Sequence, residues 1–210
     1  MNHLSGLKTV FLLFIWCGLL SAPTSAMVVD DIEIKDTIPA EGVRPELVLN
    51  GASIRKLYVF AKVYIGSLYL EQAESDENAI FEDDGYKRMN FYLLRNVRGR
   101  RIATALKDAM QVNLSTQEIQ GFENEFATLI SLLGRKIKKG EEGILEYIPG
   151  KGTKVTTANK VQGIIPGKAF YNALLTAWIG EQPVNSVMKA ELLGKKHVKK
   201  LTASQLRRLN

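Results

Sequence analysis

Residues 57–71 read LYVFAKVYIGSLYLE, a run of β-branched and aromatic side chains with no helical spacing. We read it as two strands with a bend near Ala61 and Lys62. In the second strand Tyr64, Gly66, Leu68 and Leu70 share one face, and Val63, Ile65, Ser67 and Tyr69 share the other. Both faces are largely apolar. A strand of that kind belongs at the centre of a sheet, with cover over at least part of each side.

Working outward from it, residues 46–50 (ELVLN) followed by Gly51 read as a strand ending in a turn, and residues 27–45 as a mixed lead-in with room for one short strand. Residues 72–86 are acidic and polar, a loop or short helix. Residues 88–97 are a further strand. Ile102, Leu106 and Met110 recur at helical spacing within residues 99–113. Ser115 with Glu118 three positions on forms a helix-start signature, and the stripe Ile119, Phe122, Phe126, Leu129, Ile130 and Leu133 continues as one helix that Gly134 stops. EGILEYIP (142–149) and TKVTT (153–157) flank GKG, a hairpin pattern. A turn within 158–163 leads to a short strand over 161–166. KAFYNALLTAWI (168–179) is a helix closed by Gly180, and 186–193 is a last short one. Strands, helices, strands and helices thus come in blocks. That segregation predicts an α+β fold on an antiparallel sheet, not a doubly wound one.

The first 26 residues read differently. Lys8 supplies a positive start, VFLLFIWCGLL (10–20) an apolar run of eleven, and SAPTSA a small-residue cleavage pattern. We read residues 1–26 as a secretory signal peptide cut after Ala26, which predicts a periplasmic or secreted protein. The apolar run is short for a membrane span, so no transmembrane segment is expected after cleavage. Cys17 is the one cysteine and leaves with the leader; its place inside the apolar run is wrong for a lipid-attachment site. The domain then has no thiol nucleophile and no cysteine metal ligand. Of the two histidines, His3 is in the leader and His197 in a basic tail, 195–210. No metal site and no cofactor is expected in the domain, residues 27–194. The whole chain's 46% hydrophobic and 24% charged residues are those of one ordinary globular unit.

The net charge of +6 is concentrated in Arg95, Arg98, Arg100 and Arg101 and in the tail lysines 195, 196, 199 and 200. With no aromatic residues interleaved, these read as a solvated face and tail, and nucleic acid is not expected as a partner. GKGTK lacks the spacing of a phosphate loop and sits between strands. The acid pairs 30–31, 82–84 and 141–142 lie in polar loops, where no carboxyl group would have its pKa raised. Arg55 and Tyr64 stand out as polar groups within apolar strands. Together they could hold a carboxylate.

LNGASIRKLYVFAKVYIGSLYLE (49–71) resembles the opening strands of chalcone isomerases and their non-enzymatic relatives. IPGKGTKV (148–155) and AFYNALLTAWIGEQPVNSVMKAELLG (169–194) resemble the rest of the family's bacterial branch. The resemblance implies an open-faced β-sandwich: a large antiparallel sheet with helices on one face, a smaller flanking sheet, and a ligand cleft between sheet and helices. It also implies that Arg55 matches the arginine of the catalytic enzymes. Their polar positions fall here on Tyr64, Ile102, Ala105, Ala109 and Ala177, mostly residues that cannot aim a donor at a reacting oxygen. The relatives that bind fatty acids use an arginine and a tyrosine where this chain has Arg55 and Tyr64.

The expected function is non-catalytic binding of a fatty acid or similar apolar carboxylate, its head on Arg55 and Tyr64, with Phe122 and Phe126 near or behind its tail, although such phenylalanines are more often plain core. Two rivals stand beside it. One is a chalcone isomerase-type intramolecular lyase acting on a phenolic substrate, with Tyr64 made acidic by Arg55. The other is an envelope interaction module using the basic surface. The sequence does not specify the oligomeric state.

Overall fold

The computed structural model describes residues 26–57 and 61–195. The proposed leader up to residue 25, the connection 58–60 and the tail from 196 lie outside the described residues. In chain order the strands are β1 (Ala26–Val29), β2 (Ile32–Lys35), β3 (Thr37–Ile38), β4 (Leu47–Leu57), β5 (Ala61–Leu70), β6 (Lys87–Leu93), β7 (Val97–Arg98), β8 (Lys136–Ile137), β9 (Glu142–Ile148), β10 (Gly152–Thr157) and β11 (Lys160–Pro166). The helices are α1 (Glu77–Glu82), α2 (Gly99–Gln111), α3 (Thr116–Gly121), α4 (Glu123–Leu132), α5 (Lys168–Ile179) and α6 (Ser186–Leu192). Seven strands form one antiparallel sheet in the order β11-β10-β9-β6-β5-β4-β3, and β1-β2 and β7-β8 form two small ribbons. The fold is α+β with the helices packed on one face of the large sheet, as expected.

Strand β5 is interior, between β4 and β6. Its two apolar faces feed two different cores. Leu68 and Leu70 join the larger cluster under the helices with Phe170, Leu174 and Trp178 of α5. Ile65 and Tyr69 point the other way, against Met27, Val29 and Ile34 of the β1–β2 ribbon. The Tyr69 hydroxyl donates to the Lys35 carbonyl at 2.9 Å and ties that ribbon down. The ribbon is a fuller structure than the single short strand expected of the lead-in. Its turn places Asp30 and Asp31 at φ 54° and 63°.

Three boundaries differ from the sequence reading, each for a local reason. Strand β4 does not turn at Gly51 but runs through it, with a bulge between Leu49 and Gly51. The bulged Asn50 donates to the carbonyls of Glu74 and Leu192, each at 2.8 Å. A side chain on Gly51 would stand 2.0 Å from the Glu191 carbonyl oxygen, so glycine here is what lets α6 lie directly on the strand. The strand expected over 88–97 stops at Leu93, and Val97–Arg98 pairs instead with Lys136–Ile137. The long helix expected after Ser115 breaks at Phe122 into α3 and α4. Its Ser115–Glu118 capping box is present. The helix over 168–179, the hairpin of β9 and β10 and the final short helix fall where the pattern placed them.

These positions make a two-sided prediction. Gly51→Ala forces a methyl group into the α6 backbone and should cost about 2 kcal/mol or more. Gly121→Ala, where nothing lies within 4 Å, should be neutral or stabilising by up to about 1 kcal/mol. Urea unfolding of the two variants reads both. Equal stability for Gly51→Ala and the parent chain would contradict the close approach of β4 and α6.

Candidate functional site

Between the large sheet and α2 lies a cavity of about 640 Å³. Strands β4 and β5 set its polar wall. Arg55 and Tyr64 are register partners across these two antiparallel strands, which places their side chains next to each other on the face turned toward the helices. Both line the cavity. The positions singled out on the helices, Ile102, Ala105 and Ala109 of α2 and Ala177 of α5, line it too. Their spacing along α2 puts one apolar stripe of the helix on the cavity wall. Leu106, Phe91, Leu145 and Trp178 complete the apolar lining.

Trp178 was not legible as a site residue. Its indole N–H donates to the Tyr64 hydroxyl oxygen at 2.8 Å. Phe91 meets both rings, edge-on to Tyr64 at 5.3 Å and tilted to Trp178 at 4.9 Å. The tyrosine oxygen therefore accepts from Trp178 and keeps its own proton for donation. Burial pushes the Tyr64 phenol up to about 12, against the smaller opposing pulls of the Trp178 hydrogen bond and the Arg55 charge. The sequence-based isomerase alternative needs the opposite, a phenol made more acidic. Arg55 donates to the Lys56 carbonyl at 2.8 Å, and no carboxylate pairs with it among the described residues.

Phe122 and Phe126 belong to the core, the plainer of their two readings, and not to the wall of the cavity. Phe126 packs edge-on against Phe170 at 5.4 Å in the main core, and Phe122 lies 5.6 Å from the same ring. Neither lines this cavity. Phe122 instead borders a second hollow of about 470 Å³ with Phe81, Leu114 and Asn172. The stripe of α2, not that of α3 and α4, is the one facing the site.

The arginines of the basic cluster are exposed, as expected of a solvated face. Arg95, Arg98 and Arg101 also border the cavity, together with Lys136, and Arg100 does not. Gly99 makes this corner possible: a side chain there would overlap the Leu133 carbonyl, and its N–H donates to the Arg135 carbonyl at 2.9 Å.

Tyr64 and Tyr69 both have phenols pushed from 10.0 to about 12 by burial. Folding thus keeps two protons that the unfolded chain releases at pH 10. Their contribution to stability is complete below pH 10 and is lost as pH rises toward 12. Each group should add up to about 1.4 kcal/mol per pH unit to that loss. Urea unfolding at stepped alkaline pH should show a shallower decline in Tyr64→Phe. Ultraviolet titration in which every tyrosine ionises near pH 10 in the folded protein would contradict the buried phenols.

Comparison with known proteins agrees with this architecture. No protein with a curated description matches the sequence. Among solved structures, the chain is similar to the crystal structure of a fatty-acid-binding protein of Arabidopsis thaliana. The identity is 15% and the TM-score 0.66, with 81% of this chain and 96% of that chain covered. At that identity the likeness speaks for the fold. The sequence model described as chalcone isomerase-like matches residues 26–194, from the first strand to the end of the last helix, and the chain belongs to the chalcone isomerase-like family.

Proposed function

We propose that this protein is an exported, non-catalytic carrier of a fatty acid or similar single-chain apolar carboxylate. One observation carries the reading: Arg55 and Tyr64 stand side by side on the wall of a largely apolar cavity that, among the described residues, is lined by no Asp or Glu. An unpaired guanidinium next to a phenol that keeps its proton is a donor pair for an anionic head. The solved relative described as fatty-acid-binding supports the same reading.

The size of the cavity fits one chain. A water-sized group occupies about 30 Å³, so 640 Å³ holds on the order of 20 such groups. Burial of each methylene contributes about 0.8 kcal/mol, so about ten of them offset much of the cost of association. Ring-closing isomerisation, by contrast, needs donors aimed at the reacting oxygens. The helix positions that would carry them here are Ile102, Ala105, Ala109 and Ala177, and Tyr64 is a weaker acid than free tyrosine. Export rests on the leader pattern of residues 1–26, and places the carrier in the periplasm or outside the cell. Among the described residues no helix is long and apolar enough to cross a membrane.

Native mass spectrometry of the protein purified from its expression host without detergent should reveal a co-purifying mass in the fatty-acid range. Arg55→Ala should weaken its retention about tenfold or more, because a charge-assisted head contact is lost. Ala105→Phe, which fills the cavity from an exposed position on α2, should exclude it. Full retention of the same lipid in both variants would overturn the assignment of the cavity. N-terminal sequencing of the exported product should begin at Met27.

A further inference from the structure

A fatty-acid head carries one negative charge, and Arg55 is enough to meet it. The cavity has four more cations on its lining: Arg95, Arg98, Arg101 and Lys136. All four are exposed, and among the described residues none of them makes a side-chain hydrogen bond or an ion pair. Some cations elsewhere in the described residues are paired, while others, such as Lys35, Arg100 and Lys151, are not. Buried Glu146 alone is met by Arg44 at 3.6 Å, Arg88 at 3.4 Å and Lys154 at 3.1 Å.

The arrangement is also locally unfavourable. Arg98 and Lys136 are direct register partners across the β7–β8 ribbon. Like charges opposite each other oppose strand pairing. Arg98 is at the same time the cap residue of α2, offers the helix no side-chain acceptor, and is followed by a first turn without an acid. The positive end of the helix thus adds to the same field. Among the described residues these four cations line one cavity without an ion pair, and a ligand anion would relieve their mutual repulsion.

Resting on the acyl-chain reading of the cavity, we infer that the preferred ligand is a single-chain amphiphile whose head is a phosphomonoester. Such a head carries about −1.5 to −2 charges at neutral pH and three acceptor oxygens. Arginine forks match phosphate oxygens two at a time, which suits Arg98 and Arg101, one helical turn apart at the cavity entrance. Arg55 and Tyr64 take one edge of the head, and the entrance arginines take the oxygens a carboxylate does not have.

The test compares, at one ionic strength, a fatty acid, a lysophosphatidic acid of the same chain length and the zwitterionic lysophosphatidylcholine. Fluorescence displacement on the mature chain reads the affinities. The phosphomonoester should bind about tenfold tighter than the fatty acid, and the zwitterion more weakly than the phosphomonoester. The ratio of phosphomonoester to fatty-acid affinity should collapse toward one in R98Q/R101Q and be steeper in salt than the fatty acid's own binding. Equal affinity for fatty acid and phosphomonoester in the parent chain overturns this inference while leaving the carrier reading intact. An unchanged ratio in R98Q/R101Q also overturns it. Failure of every single-chain lipid to bind overturns both readings. Displacement by inorganic phosphate at the same concentration as the lysophosphatidic acid would show a site for free phosphate, and so overturns the amphiphile.

Discussion

The hydrogen bond from the Trp178 indole to the Tyr64 oxygen joins helix α5 to the central strand, and the character of the cavity depends on it. Trp178 is almost wholly buried and is the last residue but one of α5. Its N–H would be a costly orphan without a partner in that apolar setting. Tyr64 supplies the partner, and the bond fixes which way the phenol faces. With its oxygen already accepting and its proton retained by burial, Tyr64 is a donor and not a base. Arg55 beside it brings the charge. The same two side chains in water would have no such bias.

The layers around this bond divide the labour. Strand β5 buries one face under the helices and the other under the β1–β2 ribbon, so the wall that carries Tyr64 is held from both sides. Gly51 lets α6 close onto β4, the strand that presents Arg55. A cavity framed by rigid strands can keep its polar groups in place while the small residues of α2 leave room. Ala105 and Ala109 are therefore consistent with a space for a chain, where larger residues would have made solid core. The cavity is apolar along α2 and cationic at its start, a polarity that suits an amphiphile lying along the helix.

Much of the architecture was legible in the sequence because it rests on local rules. The two apolar faces of β5, the Ser115–Glu118 cap and Gly180 at the end of α5 each act within a few residues. Misreadings arose where a distant contact decided the outcome. Asn50–Gly51 looks like a turn, yet its role is set by α6, more than a hundred residues later. The β1–β2 turn uses two aspartates where a hairpin signal would show glycine. Arg55 and Tyr64 emerged from resemblance and from their polarity within apolar strands, and the register of β4 and β5 brings them together. Trp178 gave no signal, since a tryptophan in an apolar helix reads as core. The basic cluster read as surface and is exposed; that part of it borders a cavity depends on residues of other elements.

In the proposed carrier, Arg55 and Tyr64 hold the ionised head of a bound acid. The most direct measurement is a carbon-13 titration of a carboxyl-labelled fatty acid in complex with the protein. A carboxylate between a guanidinium and a phenol donor is stabilised in its charged form, so its resonance should stay that of the anion to well below the ordinary carboxylate range. In Arg55→Gln the titration should move up. A bound acid that titrates at or above its free value in the parent chain would contradict the account, because its head would then lie in apolar surroundings away from Arg55.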